Sequence, residues 1–178
     1  DFCWKRFFFF SPELRNLTEG ISPEKDSNTA YTANGNGSIS GLGNEAATLS
    51  DSTLAASVLN TLDGHTSGDI NASSINTLTG AAADLNTAYA ANGSGITGLG
   101  NEAATLSDSS LNASVLNTLD GKTSVAVNAS NITTLTGAAA DLNTAYSANG
   151  SGSISGLGNE AVTLSDSINT ATDITNHN

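Results

Sequence analysis

Acidic side chains recur at fixed intervals along most of this sequence, and carboxylate oxygens are ligands that suit Ca²⁺. Ten of the twelve acidic residues after Ala30 return at the same place in successive copies of a long sequence repeat. One shared ion does not fit this spacing, because equivalent residues three strand layers apart would lie about 14 Å from one another. The calcium-binding nonapeptide and the EF-hand loop are absent. We therefore expect solvated acidic corners and no cofactor, with Ca²⁺ as the alternative. The recurring residues are Glu45, Glu102 and Glu160; Asp51, Asp108 and Asp166; Asp63 and Asp120; and Asp84 and Asp141.

The sequence offers little from which to build a catalytic site. His65 occupies a position that Lys122 takes in the next repeat, and His177 is the penultimate residue. The many serines and aspartates include none that is singled out as a partner, and the GxSxG and HExxH motifs are absent. Glycine segments such as NGSG and GLGN lack the spacing of a phosphate-binding loop. The sequence therefore predicts a protein that is not an enzyme and has no catalytic or metal-binding residues.

Charge is distributed unevenly along the chain. The net charge is −12, and from Ala30 onward Lys122 is the only basic residue against twelve acidic ones. Such a body repels nucleic acid and anionic membranes, so we expect neither as a partner. The sequence contains no run of 18 apolar residues, so we expect no transmembrane helix. The lone Cys3 permits no internal disulfide. Because the chain starts with Asp rather than Met, we expect a removed leader or a fragment.

An internal repeat indicates the elements that would hold these residues. The segment ISGLGNEAATLSDS at 39–52 returns with small changes at 96–109 and 154–167. Each long repeat also contains a shorter pattern, in which leucine and then glycine follow an apolar residue. This pattern starts at Ile39, Leu59 and Ile75, and it returns from Ile96 onward. This spacing predicts three turns of about 19 residues in each repeat of about 57 residues. The predicted solenoid core consists of Ile39, Leu42, Leu59, Leu62, Ile75, Leu78, Ile96, Leu99, Leu116, Leu119, Ile132, Leu135, Ile154 and Leu157.

Turns of this length are typical of a solenoid, in which each turn buries its few apolar residues only by stacking on its neighbours. We predict a repeat solenoid of mainly parallel β coils with short helical turns. The segments ASVLNTLDG (56–64) and AAADLNTAY (81–89) have helical spacing and cap-like ends. An α/β solenoid is therefore an alternative, and an all-β coil also stays open because Asn, Thr and Ser dilute both segments.

Several segments resemble repeats of known surface proteins. LNTLDGHTSG (59–68), LNTLDGKTS (116–124) and LTGAAADLNTAY (78–89 and 135–146) are similar to repeats in very large cell-surface and secreted proteins of marine cyanobacteria. The LN-x-LDG-x-T motif also resembles one in phage tail-fibre and other virion-fibre proteins. The resemblance covers residues 30–167 and implies an extended extracellular stalk. It implies no catalytic residues.

The first ten residues, DFCWKRFFFF, differ from everything that follows, because they hold all five phenylalanines and the only tryptophan. Burial of these rings at about 2 kcal/mol each would contribute on the order of 10 kcal/mol before entropy costs. The segment could cap its own solenoid, dock on another subunit or anchor the chain to a membrane or wall. We expect docking on the next subunit, head to tail. The predicted subunit-interface residues are Phe2, Trp4, Phe7, Phe8, Phe9 and Phe10.

These features predict three regions. They are an aromatic head with a Pro-containing linker (1–29), the solenoid repeats (30–167, divided into 30–87, 88–144 and a partial 145–167) and a C-terminal tail (168–178). The predicted function is that of a structural subunit of an extracellular, cell-surface or virion-surface fibre, with itself as partner in a homopolymer. The alternative is an adhesin-type binding module that recognises glycan or a surface through its Asn, Thr and Ser faces.

Overall fold

The computed structural model describes residues 23–166 as an α/β structure in which five helices alternate with short strands. More of these residues lie in helices than in strands, so the fold class is the predicted α/β alternative rather than the mainly β arrangement. The helices are α1 (Pro23–Gly35), α2 (Ala56–Asp63), α3 (Ala82–Ala91), α4 (Ala113–Asp120) and α5 (Ala139–Ser151). The strands are β1 (Ala47–Thr48), β2 (Thr53–Ala55), β3 (Ile70–Asn71), β4 (Thr77–Gly80), β5 (Ile96–Thr97), β6 (Ala103–Leu106), β7 (Ser110–Asn112), β8 (Val127–Asn128), β9 (Thr134–Gly137), β10 (Ile154–Ser155) and β11 (Ala161–Leu164).

Every strand pair in the described region is parallel. The sheet orders are β1–β3–β5, β10–β8–β6–β4–β2 and β11–β9–β7. In the first sheet Ala47 pairs with Ile70, and Ile70 pairs with Ile96. In the second sheet Ala104 pairs with Val127. In every pair one helix lies between the two strands in sequence. The helices also contact one another in chain order.

A helix and the strands that follow it form what we call a unit. The long units are 23–55, 82–112 and 139–166, and the short units are 56–81 and 113–138. In chain order the long and short units alternate. The first long unit begins with α1, which crosses the predicted boundary at residue 30.

The interval between paired strands, as from Ala47 to Ile70, is longer than the predicted turn. The pattern that suggested three turns per repeat lies in three different structures: Leu59 is in α2, Leu78 is in β4, and Leu99 is in the loop after β5. A helix advances about 1.5 Å per residue and a strand about 3.3 Å, so a unit that includes a helix uses more residues. Two units, not three turns, therefore occupy one sequence repeat.

The apolar core runs through all five units as a single cluster. Leu42 and Leu157 are half-buried against it, whereas the Ile39 side chain is 38% exposed. The counterpart of Ile39 is Ile96, which pairs with Ile70, and no described strand pairs with Ile39. The other eleven residues predicted to form the core are buried, namely Leu59, Leu62, Ile75, Leu78, Ile96, Leu99, Leu116, Leu119, Ile132, Leu135 and Ile154.

Side chains join each helix to its surroundings. In α2 the buried Leu59 and Leu62 lie three residues apart on one face, as an amphipathic helix requires. The Asn60 side-chain amide donates to the Asp84 carbonyl of α3 at 3.0 Å, and Asn117 repeats this contact to Asp141 at 2.9 Å. Across the described residues no helix combines the length and apolarity needed to cross a membrane.

Candidate functional site

Three copies of one loop contain the recurring glutamates. We call them the Glu loops: Gly41–Glu45, Gly98–Glu102 and Gly156–Glu160. Each carboxylate turns back and accepts hydrogen bonds from the backbone of its own loop. The Gly100 and Asn101 amides donate to Glu102 at 2.9 and 3.0 Å, and the other two copies make the same contacts. The glutamate therefore closes the loop that carries it.

A tyrosine from the preceding helix lies over each of these carboxylates. The Tyr146 hydroxyl donates to Glu160. Burial, followed by this hydrogen bond and the charge of Glu160, raises the pKa of Tyr146 to about 12. Burial and the neighbouring Glu102 carboxylate raise the pKa of Tyr89 further. The Tyr89 ring and Glu102 are both buried, so the second pair is shielded from water.

The pKa values of two glutamates are lowered for related reasons. The hydrogen bond from Tyr31 lowers the pKa of Glu45 more than partial burial raises it, and the Gly43 amide adds to the effect. For Glu160 burial raises the pKa, but the Tyr146 hydroxyl and the loop amides together outweigh burial and lower it. These two carboxylates are thus held in their ionised form by donors within the same chain.

Two of the recurring aspartates bind helix N-termini within the chain. Asp108 accepts from the Ala82 amide, the first residue of α3, at 2.7 Å, and Asp166 does the same for Ala139 of α5 at 2.6 Å. A carboxylate at this place satisfies an unpaired donor at a helix N-terminus and complements the helix dipole. Within residues 23–166 no group of three or more acidic, His or Cys side chains is arranged to hold a metal ion.

Two of the Glu loops accept hydrogen bonds from the short unit that follows them in sequence. Thr66 donates from its hydroxyl to the Glu45 carbonyl at 2.7 Å, and the Ser67 amide donates to Gly43 at 2.8 Å. Thr123 and Ser124 make the same contacts to the second loop. His65, just before the first of these segments, stacks on the Tyr31 ring with centroids 5.5 Å apart. The third Glu loop has no such neighbour in the part of the chain that the structure describes.

Strand β11 is exposed where its counterpart is buried. In β6 the side chains of Ala104 and Leu106 are 0% and 1% exposed, and the strand pairs with both β4 and β8. In β11 the corresponding Val162 and Leu164 are 49% and 61% exposed, and the only described partner is β9. An apolar strand with a free edge is a site at which another strand can pair. We call this surface the β11 edge.

The structure describes only one of the two kinds of predicted site residue. The predicted core residues lie in the described units. The predicted subunit-interface residues, Phe2, Trp4, Phe7, Phe8, Phe9 and Phe10, lie outside the described residues.

The sequence prediction did not identify the β11 edge or the Tyr–Glu pairs. The signal for the pairs was that a tyrosine precedes each recurring glutamate by a nearly constant spacing in all three repeats. The signal for the edge was the change from Ala104 to Val162 in an otherwise near-identical segment. Compared with known proteins, the chain matches no family model, no curated protein and no solved structure.

Proposed function

We propose that this chain is a structural subunit of a fibre outside the cell or on a virion, built as an α/β solenoid and assembled head to tail through its aromatic N-terminal segment. The observation that carries the proposal is the β11 edge. Val162 and Leu164 are exposed in the last described unit, while their counterparts in β6 are covered by the following unit.

Val162 and Leu164 are already about half buried, so covering the rest of both side chains would stabilise an assembly by about 1.5–3 kcal/mol before entropy costs. Strand pairing would add backbone hydrogen bonds to that contribution. The solenoid form is supported by parallel pairing between successive units in every sheet and by helix contacts in the same order. A stack of this kind can be extended by any further unit that presents a matching strand.

The use of polar side chains supports a structural role. Glu45, Glu102 and Glu160 accept hydrogen bonds from their own loops. The helix threonines are also engaged internally: Thr61, for example, donates to the Ser57 carbonyl at 2.8 Å, and four other helix threonines repeat this contact. Side chains that stabilise their own units are typical of a scaffold.

The test is electron microscopy of the purified chain by negative staining. We expect filaments much longer than one subunit, and no filaments after deletion of residues 1–10. The deleted chain should keep the circular dichroism spectrum and melting profile of the described units. Short monodisperse rods that bind glycans on an array would contradict the fibre and favour the adhesin-type module. Identical filaments after the deletion would exclude the aromatic segment as the joint.

A further inference from the structure

Asparagine is followed by glycine at four places among the described residues, and such a pair can react with itself. The glycine backbone nitrogen attacks the Cγ carbon of the asparagine side chain and closes a five-membered succinimide ring. The Cγ–Nδ2 bond breaks, and ammonia leaves with the proton of the glycine amide. Water then opens the ring to give aspartate or isoaspartate, so no oxidant or reductant is needed. The pairs occupy 34–35, 36–37, 92–93 and 149–150.

Three of these asparagines are held by the Glu loop that follows them. The Asn34 side chain donates to the Leu42 carbonyl and accepts from the Leu42 amide, both at 3.2 Å. Asn92 makes the same two bonds to Leu99, at 3.1 and 3.3 Å. In the third copy Asn149 accepts from the equivalent leucine amide at 3.2 Å. We call these side-chain bonds the Asn clamps.

An Asn clamp fixes the side-chain amide in an orientation set by the following loop. Both polar atoms of the Asn92 amide bond to the backbone of the same residue, seven positions further along the chain. A donor on Oδ1 also polarises the carbonyl, which by itself would favour attack. The reaction nevertheless needs the two reacting atoms about 3–3.5 Å apart and correctly oriented. We therefore expect the clamp to slow the reaction by preventing this approach.

The glycine nitrogens of two clamped pairs are engaged in regular structure. The Gly93 amide donates at 2.7 Å to the carbonyl of Ile96, which is fully buried in β5. Gly150 lies within α5, which continues to Ser151. Release of either amide requires local opening of a strand or a helix, and such opening keeps the reactive population small. Clamp and backbone thus protect these two pairs together.

Asn36 differs from the other three asparagines. It stands where the second and third copies have Ser94 and Ser151. Its side chain is exposed, and no described residue is hydrogen-bonded to its side-chain amide. A Cβ added at Gly37 would have no described atom within 4 Å, whereas one at the equivalent Gly95 would lie 2.4 Å from a carboxylate oxygen of the preceding unit. The Asn36 side chain is therefore free to turn toward the Gly37 nitrogen.

One hydrogen bond opposes the reaction at Asn36. The Gly37 amide donates to the Asn34 carbonyl at 3.1 Å and closes a turn at the end of α1. Both residues of the reacting pair are exposed in this turn. An exposed turn with open space around it opens locally at small cost. This bond should therefore slow the attack far less than a clamp combined with a buried strand does.

We propose that Asn36 is a site of spontaneous covalent modification, at which the fold permits the succinimide reaction that it suppresses at the three clamped asparagines. This inference is independent of the proposed function. Each conversion adds one negative charge to the loop between α1 and the first Glu loop. Isoaspartate also adds one methylene to the backbone between Asn34 and Leu42, the two residues that the first Asn clamp joins.

The experiment compares the folded full-length protein with the same protein unfolded in guanidinium chloride, both incubated in one mildly alkaline buffer. Peptide mapping by mass spectrometry measures the conversion at each pair, and labelling by isoaspartyl methyltransferase reports isoaspartate. Without the clamps all four asparagines precede glycine in an unfolded chain, so we expect similar rates there. In the folded protein Asn36 should react at least about tenfold faster than Asn92.

Asn36→Gln is the matched variant, because its longer side chain would have to close a six-membered ring. Isoelectric focusing of the aged, folded protein should show acidic forms in the wild type and few in Asn36→Gln, and circular dichroism melting verifies that both are folded. Acidic forms that persist in Asn36→Gln would overturn the proposal. So would equal rates at Asn36 and Asn92 in the folded protein, or a folded protein in which Asn36 is as unreactive as the clamped asparagines.

Discussion

At the scale of single residues, the glutamates of the Glu loops show how an acidic side chain can be a structural part of a repeat. Each glutamate accepts hydrogen bonds from two backbone amides and lies beside a tyrosine of the preceding helix. Hydrogen bonds to a charged acceptor are worth about 1.5–3 kcal/mol, more than those between neutral groups. The recurrence of glutamate at this position therefore reflects the need to close a glycine-containing loop, which solvated corners would not require.

A pH dependence of stability follows from Glu45. Its folded pKa lies below the ordinary value of 4.5, so near that pH the unfolded chain binds the proton more readily. The stabilisation is complete above 4.5 and is lost as the pH falls through the lower, folded pKa. We expect Glu45→Gln to lower the free energy of unfolding by about 1.5 kcal/mol at neutral pH. The difference from the wild type should shrink on acidification, as measured by urea unfolding.

The control for this experiment is Asp69→Asn, which removes the same charge from an exposed position. Its effect should stay within about 0.5 kcal/mol at neutral pH. A stability gap that persists unchanged to about pH 3 would mean that the Glu45 carboxylate does not hold its loop.

At the scale of elements, the sequence predicted some structures correctly and not others. The apolar spacing of ASVLNTLDG, with its terminal glycine, predicted a helix, and α2 ends at Asp63, before Gly64. The number of turns was not predictable in the same way. Leu62 and Leu78 occupy the same local pattern, yet one lies in a helix and the other in a strand. Tertiary packing decides between these outcomes, because short segments rich in Asn and Thr have weak preferences of their own.

Adjacent units approach one another closely at the Glu loops, and Gly98 marks the point of contact. Its φ is +88°, and an added Cβ would lie 2.8 Å from the Ser73 amide nitrogen. Gly93, earlier in the same unit, has a φ of +96° and nothing described within 4 Å. Alanine at either position should lower the free energy of unfolding by about 1–2 kcal/mol, because the backbone there is left-handed. Only Gly98→Ala adds a clash with backbone atoms.

We therefore expect Gly98→Ala to cost about 1–3 kcal/mol more than Gly93→Ala. Chemical denaturation of the two variants measures the difference, and the matched φ removes the backbone contribution from it. Equal losses would show that the loop of one unit does not rest on the Asn71–Ser73 turn of the unit before it. That result would also weaken the proposal of a stacked solenoid.

At the scale of the whole molecule, the proposed solenoid predicts how much length the described residues add to a filament. The described residues form five units, one strand layer each. Strand layers are spaced by about 4.8 Å, so these five units should span about 24 Å along the strands.

The layer count can be read from averaged electron cryomicroscopy images of the filaments. Helices pack about 8–10 Å apart, roughly twice the strand spacing, so the stack should curve with its strands on the inner side. The repeat must therefore be measured along the strands, where curvature does not lengthen it. We expect five successive layers for residues 23–166 of each subunit, in which long and short units alternate. Units that lie side by side in the images, with no spacing of about 4.8 Å between their strands, would contradict the proposed solenoid even if the filaments form through the aromatic head.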